Sequence, residues 1–139
     1  MAAPRTEIVL KNDLAELERL GRFVRDFGAR HGLAERVVFD VELALDEIVT
    51  NVISYAYDDR AAHEIRVGLE LVPGELSVEV VDSGRPFDPL AAAEPDTTLP
   101  LEQRPIGGLG VFLARKVMNR LAYRREGGKN VLGMGKTIG

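Results

Sequence analysis

Residues 38–57, VFDVELALDEIVTNVISYAY, constrain the fold of this chain more than any other stretch. Apolar side chains recur at Val38, Val41, Leu45, Ile48, Val52 and Ala56, spaced by three and four, so the segment reads as a helix with one stripe laid against a core. Glu47, Asn51 and Tyr55 follow one another by a single turn on a different stripe. A carboxylate, a carboxamide and a phenol therefore line one edge of this helix, and that edge is where chemistry is expected.

The flanking segments supply the layer the helix packs on. Residues 5–10 alternate, with Ile8 and Leu10 on one side, and read as a short first strand. Asn12 or Asp13 is placed to cap a helix through Leu14, Leu17, Leu20, Phe23, Val24 and Phe27 that runs to about Arg30 and stops at Gly32. Beyond the central helix, residues 64–72 set Ile65, Val67, Leu69 and Leu71 on one face, Pro73-Gly74 turns the chain, and Leu76, Val78 and Val80 alternate in the same way. Asp82 stands where the second strand of that hairpin stops.

Residues 85–106 contain Pro86, Pro89, Pro95, Pro100 and Pro105 and no sustained period. Loops of this length without structure of their own are commonly functional, so a lid over about residues 85–108 is expected. A third helix is expected from Leu109 to Val117 or Met118, with glycines at its N-terminus. A second hairpin pairs residues 121–125 with 131–138 around Gly127-Gly128-Lys129-Asn130. The order predicts an α+β fold, a two-layer sandwich with a mixed or antiparallel sheet covered by helices on one face, in a single domain over residues 1–139.

Composition removes several classes of function. The 139 residues, 45% hydrophobic and 29% charged, are ordinary for one globular domain. A net charge of −4 with no Lys/Arg block argues against direct contact with nucleic acid. Without cysteine there is no disulfide, no Cys-based zinc site and no thiol nucleophile. No apolar run approaches the length of a membrane span, and the first residues, MAAPRTEIVLKND, lack the layout of a signal peptide. A soluble, cytoplasmic protein with no membrane partner is expected.

Three features are set aside. Gly135-Lys136-Thr137 resembles the end of a phosphate-binding P-loop, but Asn130 occupies the place of its leading glycine and no helix follows, so Lys136 is read as a strand residue. Ser83 has Val81 where a nucleophile elbow needs glycine. His31 and His63 stand at no metal spacing and are expected at the surface. On the central helix, Glu42 and Asp46 are four apart and repel by about 0.2–0.5 kcal/mol; Asp46 is expected to face solvent or a partner.

Glu47-Ile48-Val49-Thr50-Asn51, Asp82-x-Gly84 and Gly108-Leu109-Gly110 occur in this order. With all three in place, the chain resembles the ATPases of the gyrase, heat-shock chaperone, histidine kinase and MutL superfamily, which share the Bergerat nucleotide fold. LALDEIVTNVISYAY, VVDSGRPFDP and GGLGVFLARKVMNRLAYRREGGKNVLGMGK resemble most its small stand-alone branch, the anti-sigma-factor serine/threonine kinases.

The resemblance implies ATP and Mg²⁺ as cofactors, with Asn51 as the metal ligand, an oxygen donor suited to a hard cation. It implies Glu47 as general base and Asp82 as acceptor for the adenine amino group. Gly84 would let the backbone pass close to the base, where a side chain would occupy ligand space, and Phe87 would form apolar wall. Tyr55 would stand at the nucleotide where several relatives carry His. Gly107, Gly108, Leu109 and Gly110 would form the phosphate-contacting end of the lid, since glycines expose amides and helix N-termini favour anions.

Where many relatives carry Thr or Ser in the last hairpin, this chain reads Asn130-Val131-Leu132-Gly133-Met134. The implied function is a protein serine/threonine kinase that phosphorylates an anti-sigma-factor antagonist and holds a sigma factor or similar regulator, as a possible homodimer. The alternative is a partner-binding regulatory module, nucleotide-gated or nucleotide-free, without kinase activity. An isolated histidine kinase catalytic domain is disfavoured, because no phosphoacceptor hairpin precedes it.

Overall fold

A computed structural model of the chain describes residues 4–57, 59, 61–86 and 108–138. The lid expected over residues 85–108, together with Phe87 and Gly107, falls almost wholly outside them. The elements in chain order are β1 (Arg5–Lys11), α1 (Glu16–Arg30), α2 (Glu35–Tyr55), β2 (Glu64–Val72), β3 (Glu75–Asp82), α3 (Gly108–Val117), β4 (Arg120–Glu126) and β5 (Lys129–Thr137). The strands form one sheet in the order β1-β2-β3-β5-β4, with every neighbouring pair antiparallel. The fold is therefore α+β, and of the two sheet types the sequence allowed it takes the antiparallel one.

Period-two alternation divides the sheet into two faces. Across four strands Leu69, Val78, Met134 and Leu121 align in one transverse row, and Val67, Val80, Leu132 and Tyr123 in the next. These rows pack beneath Leu20, Val24 and Phe27 of α1 and Val41, Ala44, Leu45, Ile48 and Val49 of α2. Leu45 and Leu69 are fully buried, each contributing about 2 kcal/mol through lost apolar exposure. The opposite face presents Arg66, Glu70, Ser77, Glu79 and Arg124, so all three helices serve one side.

α1 and α2 meet at a glycine. A Cβ on Gly28 would overlap the Val38 side chain, so the missing methyl lets the helices close. The expected cap of α1 is absent. Its N-cap is Ala15, with no side-chain bond, while Asp13 Oδ1 accepts from Ala15 N at 2.9 Å in a turn just before the helix. Asn12 works elsewhere, its Oδ1 accepting from His63 N at 2.9 Å and tying the start of α1 to the start of β2.

At the other end of the molecule Lys136 Nζ lies 2.8 Å from Asp40 Oδ2 and donates to Val117 O at 2.6 Å. This strand lysine thus joins β5, α2 and the last turn of α3, where a cation suits the helix C-terminus.

Candidate functional site

The alternation that builds the core also places Asp82. Leu76, Val78, Val80 and Asp82 share one face of β3, so the carboxylate points to the helix-covered side at the strand's end. Opposite it in the ladder is Asn130, and opposite Asn130 is Arg125. The row beyond the two apolar rows is consequently polar, although Asp82 is only 5% exposed and Asn130 6%.

Asp82 divides its two oxygens. Oδ1 accepts from Gly84 N at 2.8 Å and from Asn130 Nδ2 at 3.0 Å. Oδ2 accepts from none of the described residues. Because no enclosed side-chain polar atom among those residues lacks a partner, Oδ2 opens onto accessible space. It is an acceptor-only atom at the strand's end, where the turn after β3 meets α2.

The turn after Asp82 docks on the end of α2. Ser83 N donates to the Tyr57 hydroxyl at 3.0 Å, Arg85 N to Ala56 O at 2.9 Å, and Arg85 Nε to Tyr55 O at 2.7 Å. A Cβ on Gly84 would lie 2.5 Å from both Ala56 Cβ and Ala56 O. The helix end is therefore sufficient to demand a glycine here, a steric cause beside the ligand space the resemblance implies.

Tyr57 is braced from behind. Its ring stacks on His63 at 3.9 Å between centroids and 7° between planes, and His63 Nε2 lies 2.7 Å from Asp59 Oδ1. Burial raises the Tyr57 phenol above its usual range, so it stays neutral at neutral pH, and the nearby Asp82 and Asp59 carboxylates push the same way against the Ser83 bond. His63, expected as a surface residue, is half-buried and supports this turn.

Along α2, Asn51 precedes Tyr55 by about 6 Å of helix rise and Glu47 by about 12 Å. Tyr55 is 42% exposed, and Asn51 and Glu47 are half-buried. The turn carrying Asp82 thus adjoins the Tyr55 end of the edge on which Glu47 and Asn51 lie. Asp46 is partly buried, and burial raises its carboxyl first, followed by Glu42 and Glu47, with Arg25 opposing. Glu42 is itself paired with Arg25 of α1.

Gly108, Leu109 and Gly110 form the first turn of α3, which packs along α2. Among the described residues no cluster of three or more His, Cys, Asp or Glu is arranged to hold a metal, and no helix is long and apolar enough to cross a membrane. A cation here would be one that arrives with phosphate oxygens and needs few protein ligands.

Sequence reasoning gave no site role to Asn130, Tyr123, Arg125 or Tyr57, although all four lie in the stretches that carry the family resemblance. Only the β3–β5 register sets Asn130 opposite Asp82, and only the docking of the turn on α2 brings Tyr57 to Ser83.

Residues 10–136 match the family described as the histidine kinase-like ATPase domain. The chain belongs to that family. Serine/threonine-protein kinase BtrW of Bordetella bronchiseptica is 32% identical over 97 residues, covering 70% of this chain and 68% of that protein. Serine-protein kinase RsbW of Oceanobacillus iheyensis is 26% identical over 108 residues, covering 74% and 68%. Among solved structures, the RsbU and RsbW domains of Rv1364c from Mycobacterium tuberculosis superpose with a TM-score of 0.71 at 16% identity, covering 97% of this chain and 32% of that one. That likeness is one of fold. The histidine kinase-like ATPase domain here is thus similar to proteins named as serine and serine/threonine kinases over most of its length.

Proposed function

We propose that this chain is an ATP- and Mg²⁺-dependent protein serine/threonine kinase acting as an anti-sigma factor. Its substrate would be an anti-sigma-factor antagonist, and a sigma factor or similar regulator would be the protein it holds. The observation that supports the reading is Asp82, whose Oδ1 is committed to the protein and whose Oδ2 is not, on a turn that docks at the Tyr55 end of α2.

Asp82 Oδ2 suits a single donor such as the exocyclic amino group of adenine. With the base there, the phosphates would extend back along α2 towards Asn51, then Glu47. α3 supports the same direction. Its last turn is tied to the start of α2 at Asp40 through Lys136, and its first turn, at Gly108, would reach the phosphates from the other end. Amides at that helix start favour phosphate oxygens.

Asn51 would hold Mg²⁺, which when bound neutralises charge on the phosphates. Glu47 would orient the Ser or Thr hydroxyl of the protein substrate and take its proton, while that oxygen bonds to the γ-phosphorus and ADP leaves. Residues 1–139 would act as one domain, with residues 85–108 closing over the phosphates. The cytoplasm and a homodimer are the setting this reading carries.

The test is transfer of γ-labelled phosphate from Mg²⁺-ATP to protein captured from the source cells by this chain. The wild type is expected to label a serine or threonine. Glu47→Ala should lower the rate by about 10²–10⁴-fold while retaining ATP binding. Wild-type labelling by Glu47→Ala would overturn the assigned base, and no labelling by the wild type would overturn the kinase reading.

A further inference from the structure

We infer that Asn130 is a positioning residue that sets the preference for adenine over guanine, by holding Asp82 so that it offers one oxygen and not two. The inference rests on the ATP site proposed above. It starts from a buried carboxamide that the motifs do not include. Asn130 Nδ2 donates to Asp82 Oδ1 at 3.0 Å and to Arg85 O at 2.8 Å, while its Oδ1 accepts from the Tyr123 hydroxyl at 2.6 Å and from Arg125 Nη1 at 3.1 Å.

These partners fix the amide's orientation chemically. A guanidinium can only donate and a backbone carbonyl can only accept, so a flipped amide would face Arg125 with its own donors and Arg85 O with its own acceptor. Arg125 Nη1 also donates to Gly84 O at 2.7 Å, so one cluster holds the carboxylate and both sides of the turn that follows it.

The consequence lies in how a carboxylate reads a purine. Adenine offers an amino donor at the position where guanine offers a carbonyl acceptor. Guanine in turn presents two adjacent donors, its ring N–H and its amino group, which suit a carboxylate with both oxygens free. Asn130 and Gly84 N together occupy Oδ1, leaving Asp82 to present Oδ2 alone. One acceptor matches adenine and cannot pair with both guanine donors. Without Asn130 the carboxylate loses one of the two donors that hold it, and two-oxygen reading of guanine becomes accessible.

The test is calorimetric Kd measurement on the full chain with Mg²⁺-ATP and Mg²⁺-GTP, for wild type, Asn130→Ala and Tyr123→Phe, beside each protein's Tm. The wild type is expected to prefer ATP by about a hundredfold or more. Asn130→Ala should shrink that ratio by about tenfold, and Tyr123→Phe, which removes a single hydroxyl bond to Asn130 Oδ1, by about threefold. A fall in both affinities with the ratio unchanged would mean a merely structural role and would overturn the inference. If Asn130→Ala does not fold, an unchanged ratio in Tyr123→Phe overturns it. A wild type that binds both nucleotides equally removes the inference and leaves the kinase reading standing, whereas one that binds neither removes both.

Discussion

Gly84 has a steric cause that the motif around it conceals. In a nucleotide-binding turn a glycine reads as room for the ligand, but here the nearest atoms to an added methyl belong to Ala56, one of them a backbone oxygen that cannot swing aside. Gly84→Ala is therefore expected to cost about 1–3 kcal/mol and to lower Tm in the absence of any nucleotide. Thermal unfolding of the apo protein checks this, and an unchanged Tm with weakened ATP binding would return the glycine to the ligand's account. Residue placement was legible where a helix supplied the geometry: Glu47, Asn51 and Tyr55 are four apart on α2, and the period alone aligns them. They were not legible where two strands had to be brought into register. Asn130 in the sequence is the residue after a Gly-Gly turn, and its tie to Asp82 exists only once β3 and β5 pair.

At the scale of elements, the ion pair of Lys136 with Asp40 carries a prediction of its own. It is nearly closed to solvent, with side-chain exposures of 15% and 11%, and the ammonium also meets the last turn of α3. Lys136→Met would leave Asp40, among the described residues, with Arg36 at 4.0 Å as its cation, and should cost about 3 kcal/mol, near the low end for stranding a buried charge. In Tm this is roughly 10 °C. Replacing both partners, Asp40→Leu with Lys136→Met, should recover much of the loss, because a buried pair exchanged for apolar groups is often neutral. Denaturant unfolding of the two variants decides it: a double variant no more stable than the single one would contradict the account. The elements themselves were legible from alternation in the two hairpins and from three-and-four spacing in α1 and α2. The start of α1 was not, because Asn12 and Asp13 both looked like caps, and tertiary contact with His63 took one while a local turn took the other.

On the scale of the whole molecule, the antiparallel sheet keeps its helices on one face and sets a polar row where its apolar rows end. Through the turn after β3 that row meets the end of α2, so the carboxylate at the strand tip stands next to the Tyr55 end of the helix's polar edge. The sequence showed the three motifs in order but could not show that the turn after β3 seats on Ala56 and Tyr57, since that contact joins distant segments with no periodic signal. In the proposed function Asp82 holds the purine of a bound nucleotide. Titration calorimetry with Mg²⁺-ATP on the wild type and on Asp82→Asn tests it most directly, because the amide is close to the carboxylate in size but is no longer acceptor-only. Saturable binding to the wild type is expected, with affinity at least about a hundredfold weaker in Asp82→Asn. Equal affinity in the two proteins, or no heat from the wild type, would contradict it.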